Sequence, residues 1–397
     1  MRFVLYTHTF SPHEMPFFKA CAELFGEAVY VVDVPWRIDP SRKGWSLSDE
    51  GLKTVILEEI PPGERRSFMR QILGGDSVLL YGQRRNPYMD VIATTPRVVV
   101  YASERWLKPD ARYLFGKVRI PIPGIFHFLQ GAFLSDVLRY GRLLAKNPRF
   151  FYFGQGVHAV GDMAKLALLS HGNLSYLFRK FPVRCPAEPT QMIDFFAPVL
   201  RKIRTWGYFV DASKDEQGRS VQDGDVLRVL WIGRVLQWKR VDVVVAAVRK
   251  VHARLCRGEQ TGYKKIELDV YGRGQDEERV KRLASGDNYI RFHDFIDMSE
   301  VRAVMRRHDL FVMASDAHEG WGVVVNEALL EGMSVVSSRQ AGAGATMLPE
   351  ECLFETGDVD ALSEKIWDPP APCGIGSWNV REAARRFRAF VQSVPRM

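Results

Sequence analysis

The stretch His318-Glu319-Gly320-Trp321-Gly322-Val323-Val324-Val325-Asn326-Glu327 decides how this chain is read. It follows the apolar run Asp309-Leu310-Phe311-Val312-Met313-Ala314-Ser315, which predicts a buried strand, and residues 323–331 predict a helix whose start is marked by two glycines. A strand, a turn of small residues and a helix start together make an anion site, because the first amides of a helix have no partner inside it. Glu319 stands just before the helix. Glu327 follows about five residues after Gly322, roughly 7–8 Å along the axis at ~1.5 Å per residue. Carboxylates so spaced can grip two sugar rings on either side of a diphosphate held by the amides between them.

Outward from this stretch the same alternation continues. Strands are predicted over 226–232, 266–271, 289–292, 310–314 and 334–337, and helices over 241–255, 276–284 and 299–307. Such βα alternation implies a doubly wound parallel sheet that binds ligands at the carboxyl ends of its strands. The first half is less regular. Residues 3–6, 28–32, 77–81, 98–101 and 150–153 read as buried strands of a second Rossmann-like domain. Residues 211–225 are polar, contain glycine and lack an apolar period, as a linker does. Residues 380–391 form a basic amphipathic helix.

Glu319-Gly320-Trp321-Gly322-Val323-Val324-Val325-Asn326-Glu327 resembles the Glu-x7-Glu signature of retaining GT-B glycosyltransferases of the GT4 type (glycosyl transferases group 1). Two further segments carry the resemblance. Gly233-Arg234-Val235-Leu236-Gln237-Trp238-Lys239-Arg240-Val241-Asp242 resembles the family's Gly-Arg…Lys-Gly-x-Asp element. Leu268-Asp269-Val270-Tyr271-Gly272-Arg273-Gly274 resembles its strand-end glycine pair. The likeness covers residues 226–365 well and the first domain in outline. It implies an α/β GT-B fold of two Rossmann-like domains facing a cleft, divided as 1–210, a linker 211–225, 226–376 and a helix 377–397 crossing back to the first domain.

It also implies site residues. Arg234 and Lys239 would hold the donor's two phosphates, and fixed cations there lower the barrier to departure of a nucleoside diphosphate. Glu319 would orient the donor sugar and Glu327 the ribose. Gly233, Gly272, Gly274, Gly320, Trp321, Gly322 and Val323 would line the donor site. Arg240 stands where the family usually has glycine, a change that bears on the turn but leaves Arg234 and Lys239 in register. Gly272 to Glu277 lacks the third glycine of the dinucleotide fingerprint, which argues against a nicotinamide or flavin site.

Composition sets the outer limits. A chain of 397 residues with 46% hydrophobic content can bury two cores, and no apolar run reaches the length of a membrane span. Met1-Arg2-Phe3-Val4-Leu5-Tyr6 reads as a first strand, not a signal peptide. Five cysteines without metal-like spacing point to reduced thiols in cytoplasm. Asp223-Gly224-Asp225 and Asp358-Val359-Asp360 spell Asp-x-Asp, but the first lies in the linker and the second at a helix cap, so no metal or other cofactor is expected.

Charge is uneven. Residues 1–210 hold 28 Lys/Arg against 18 Asp/Glu, while residues 97–204 alone hold 17 against 6. A field of this kind predicts an anionic partner for the first domain. Residues 122–140, with Phe126, Phe128, Leu129, Phe133, Leu134 and Leu138 ahead of Arg139, Arg142, Lys146 and Arg149, fit either a bilayer-interface helix or a core helix with a basic end. On the acceptor side, Ala102 and Ser103 stand where many relatives have a histidine. Glu104 is the nearest ionisable residue, with His13 and His158 after other predicted strands.

The expectation is transfer of a sugar from a nucleotide sugar to a glycan or lipid-linked saccharide, in the cytoplasm or peripherally on an anionic membrane surface. A sugar-nucleotide epimerase or phosphorylase on the same fold is the alternative among enzymes. A basic nucleic-acid-binding protein is the alternative of another class, although no recognisable nucleic-acid-binding motif supports it.

Overall fold

The computed structural model describes residues 1–11, 13–34, 52–106, 113–114, 117–118, 131–169, 197–211 and 224–395. The apolar runs of the first half become β1 (Arg2–Thr7), β2 (Glu27–Val32), β3 (Thr54–Ile56), β4 (Ser77–Tyr81), β5 (Val98–Ser103), β8 (Phe150–Gln155) and β9 (Ile203–Trp206). They form one seven-stranded sheet in the order β3-β2-β1-β4-β5-β8-β9, every pair parallel. Two short strands, β6 (Tyr113–Leu114) and β7 (Lys117–Val118), pair antiparallel apart from it.

The second half gives β10 (Val226–Ile232), β11 (Lys265–Tyr271), β12 (Ile290–His293), β13 (Leu310–Met313), β14 (Ser334–Ser338) and β15 (Leu353–Phe354). These make a parallel six-stranded sheet in the order β12-β11-β10-β13-β14-β15. The chain is α/β with two Rossmann-like sheets. The central strands carry side chains buried on both faces, as a parallel sheet covered by helices demands. Leu268 and Val270 pack under the Val241–Cys256 helix, while Leu230 and Phe311 pack with Met305 and Leu329 on the other side.

Differences from expectation fall at the edges. β3 is three residues long, and β9 alternates Ile203 and Trp206 inward with an exposed Arg204 between them. Neither gives the continuous apolar run that marks a buried parallel strand. The expected linker 211–225 lies outside the described residues over 212–223, and so does 122–130 of the aromatic stretch. From Gly131 the chain is a helix, Gly131–Lys146. Among the described residues no helix is long and apolar enough to cross a membrane.

The last helix, Val380–Ser393, returns to the first sheet. Asn379 caps it by accepting from the Glu382 amide at 2.9 Å. Val380, Ala383, Ala384, Phe387 and Val391 recur at helical spacing and pack on the Met15–Leu24 helix. Phe387 sits 5.6 Å from the Phe3 ring and 5.7 Å from the Phe17 ring.

Candidate active site

The second sheet reverses its strand order between β10 and β13, where the loops leaving neighbouring strands part and open a crevice. The segments that stood out in the sequence leave β10 and β13 at this place. After β10, the Gly233 amide donates to Tyr271 O at 3.0 Å and the Val235 amide to Arg273 O at 2.9 Å. The loops beyond β10 and β11 thus lie backbone to backbone. A side chain at Gly272 or Gly274 would meet the carbonyls of Gly233 and Val235 at 2.0 and 2.1 Å, which gives this glycine pair a packing reason.

Gln237–Lys239 makes a single 3-10 turn, closed by Arg240 in the left-handed conformation with φ 54° and ψ 42°. The turn associated with glycine is kept although glycine is absent. That backbone costs an L-residue about 1–2 kcal/mol. The buried Arg240 guanidinium donates to Asp242 at 3.1 and 3.3 Å, an opposing gain.

Lys239 leaves this turn and its ammonium binds the Glu319 carboxylate. Ser315 Oγ donates to the same carboxylate oxygen at 3.0 Å. Glu319 is 8% exposed, and Lys239 Nζ lies 4.5 Å from the centre of the Trp238 ring. Asp316 supports the turn from behind. Its side chain accepts from the His318 amide and ring at 2.8 Å each, its own amide donates to Trp238 O at 2.8 Å, and burial raises its pKa. Arg234 is exposed at the rim.

Glu327 is different from Glu319. It rides the Val324–Leu330 helix half-buried, and its carboxyl is pushed up to about 7, mainly by burial. The nearby Arg302 and Arg306 are engaged with Glu331, at 2.5 and 3.1 Å. Trp321 is turned away from the crevice. Its ring is 1% exposed, its Nε1 donates to Asn326 Oδ1 at 2.8 Å, and Asn326 Nδ2 donates to Tyr208 O at 3.0 Å. A Cβ on Gly207 would stand 2.4 Å from that ring, so Gly207 and Trp321 lie flush. What Trp321 can offer a ligand is its amide.

The first sheet brings one carboxylate to the same turn. Glu104, just beyond β5, lies over Gly320 so closely that a Cβ there would be 1.8 and 2.4 Å from its two carboxylate oxygens. His13 lines a small cavity of about 20 Å³ with Glu14, Gln155 and Tyr208, its ring 5.9 Å from that of Tyr208. His158 is placed elsewhere. Its Nε2 donates to Arg339 O at 2.7 Å across the two domains, and burial lowers its pKa to about 4, so it is a neutral bridge. The aspartates of Asp-x-Asp are engaged too: Asp358 caps a helix at Ala361 N (2.9 Å), and Asp225 and Asp360 pair with Lys264 and Lys250. Asp223 lies outside the described residues.

The comparisons fall on these segments. Residues 227–368 match the family model described as Glycosyl transferases group 1. The match spans most of the second domain and leaves the first outside it. An uncharacterized glycosyltransferase, MJ1069 of Methanocaldococcus jannaschii, is 27% identical over 124 residues, 31% of this chain and 30% of that protein's length. The chain matches HepE of Anabaena, solved with UDP and glucose, at TM-score 0.55 and 12% identity, covering 98% of this chain and 99% of that one. It matches OtsA at TM-score 0.59 and 10% identity over the full length of both. These likenesses show the fold. It is GT-B, and its second half carries the similarity to glycosyl transferases group 1.

Three residues of this site were missed in the sequence. Ser315 and Asp316 are the first polar residues after the apolar run of β13, a signal that was available. Glu14, half-buried and pushed up to about 7 by burial, opens the Met15–Leu24 helix amid apolar neighbours, and only the fold shows that it lines the small cavity beside His13.

Proposed function

We propose that this chain transfers a sugar from a nucleoside-diphosphate sugar to a hydroxyl of a glycan or lipid-linked saccharide, in the retaining manner of GT4 enzymes and without a metal. The observation that carries this reading is the Lys239–Glu319–Ser315 cluster at the switch point of the second sheet, faced across the cleft by Glu104.

The bond from the anomeric carbon to the diphosphate breaks and a bond to the acceptor oxygen forms, while the acceptor's proton leaves with the diphosphate. Negative charge grows on the departing oxygens. Lys239 and Arg234 supply fixed positive charge there, the largest single contribution in reactions of this class. To do so, Lys239 exchanges its Glu319 partner for phosphate, which frees Glu319 to accept from the donor sugar's hydroxyls. Glu327, on the next turn, suits the ribose. With two cations at the diphosphate, a divalent ion is not required.

Mass spectrometry of products after incubation with UDP-, GDP- and ADP-sugars and a lipid extract tests the reading. A mass increase of one sugar unit on an acceptor, lost in Lys239→Ala, is expected. Turnover of donor to an isomer without acceptor would instead make the chain an epimerase, and turnover dependent on inorganic phosphate a phosphorylase.

A further inference from the structure

The first domain carries a second concave site at the opposite end of its sheet from the cleft. It is a groove of about 890 Å³ between the Met89–Thr94 and Gly131–Lys146 helices and the turn before β8. Ala93, Leu138, Leu143 and Pro148 give it an apolar floor, and Arg139, Arg142, Lys146 and Arg149 surround it. Asn147 Nδ2 donates to Ala93 O at 2.8 Å and ties the two walls together. No acidic side chain is among the residues lining it. The helix's one acidic residue, Asp136, is outside that lining, buried between Arg84 and Arg85 at 3.4 and 3.0 Å.

A volume of this size is that of a ligand pocket. Four cations around an apolar floor, with no ion pair to another described residue, match a molecule with an anionic head and an apolar body. The groove lies at the amino ends of β5 and β8. A six-residue strand at ~3.3 Å per residue puts it roughly 20 Å from Glu104 and the reacting groups.

We infer that this groove seats an anionic phospholipid of a bilayer surface, the phosphate among the arginines and the first part of the acyl chain on Leu138 and Leu143. A lipid held there is an anchor and not the acceptor, because no group of the cleft reaches it. The assignment stands apart from the transfer reaction.

The test compares the wild-type chain with R139Q/R142Q/K146Q. Both are sedimented with phosphatidylcholine vesicles and with vesicles that also contain phosphatidylglycerol, at low and high salt. The wild type is expected to pellet with the acidic vesicles alone and to be released by salt. Each charge removed should weaken binding about five-fold. Binding of UDP, GDP and ADP is measured on the same samples and should not differ between the two proteins. Absence from both pellets, equal pelleting with neutral vesicles, or undiminished pelleting of the variant would overturn the assignment. So would displacement by inorganic phosphate at the concentration of the accessible acidic lipid, which would make the groove a site for a soluble anion. Should the triple variant melt early, R142Q alone decides, with the same five-fold loss expected.

Discussion

The two faces of the cleft are built by different means. On the second domain, Lys239, Ser315 and Glu319 come from two loops that leave adjacent strands, and each loop is a short contiguous motif. On the first domain, His13 and Glu14 follow β1, Glu104 follows β5 and Gln155 ends β8, so the residues come from the ends of three different strands, and no local spacing links the three. The face of the second domain is therefore written in sequence. The opposite face is written in topology, and a family can change it one residue at a time without disturbing a motif.

The sharpest break of this comparison is chemical. Lys239→Ala and Arg234→Ala should each lower the turnover rate by two or more orders of magnitude, the loss seen when a fixed charge stabiliser is removed. Glu319→Ala should abolish transfer, and EDTA should leave the wild-type rate unchanged. Steady-state rates with a nucleotide sugar decide; near-wild-type turnover of Lys239→Ala would make the cluster structural.

A double-mutant cycle tests whether the two faces touch as described. Gly320→Ala drives a methyl group into the Glu104 carboxylate and should cost about 1–3 kcal/mol in urea denaturation. Adding Glu104→Ala should recover most of it, a coupling well above the ~0.5 kcal/mol expected of independent sites. Additive effects would mean that the contact is not formed in solution.

Each face also holds one glutamate, Glu14 and Glu327, whose carboxyl burial pushes from 4.5 up to about 7. Between those values the folded chain keeps a proton that the unfolded chain releases, so both groups make stability fall as pH rises from about 4.5 to 7. Glu14→Gln and Glu327→Gln should each flatten part of that slope in melts taken across the window. A slope untouched by either change would show the carboxyls to be solvated. Asp269 works in the opposite sense. The hydrogen bonds it accepts from Arg291, His308 and His293 hold its pKa below 3.8, and that stability is lost as pH falls below the ordinary aspartate range.

The smallest effect is expected at Arg240. Arg240→Gly relieves about 1–2 kcal/mol of left-handed backbone but gives up the bonds to Asp242, so the net change should stay within about 1 kcal/mol. A larger loss in denaturant titration would show that the buried pair, and not the turn, sets this position.

These contrasts explain what the sequence disclosed. The strands of the second sheet other than the two-residue β15 were legible because parallel strands buried on both faces are largely apolar runs, as in 226–232 and 310–314. The edge strands β3 and β9 were not, because an edge needs apolar residues on one side only. Arg234, Lys239 and Glu319 stood out because the motif fixes their spacing. The inward turn of Trp321 did not, since it depends on Gly207 and Tyr208, more than a hundred residues earlier. His158 read as a candidate for substrate contact from its place after a strand, yet its bond to Arg339 O is a contact between domains that no spacing within the first half could announce.

The flush contact of Gly207 with the Trp321 ring limits how far the two halves can be exchanged. A chimera that takes its second domain from a relative with a tryptophan at this position must also carry glycine at 207, and Asn326 must keep the Tyr208 carbonyl within reach. Grafting at the middle of the linker would separate these partners. The working boundary for domain exchange therefore lies before Gly207, inside what sequence alone assigns to the first domain, and recombination libraries cut there should yield folded hybrids more often than those cut within the linker.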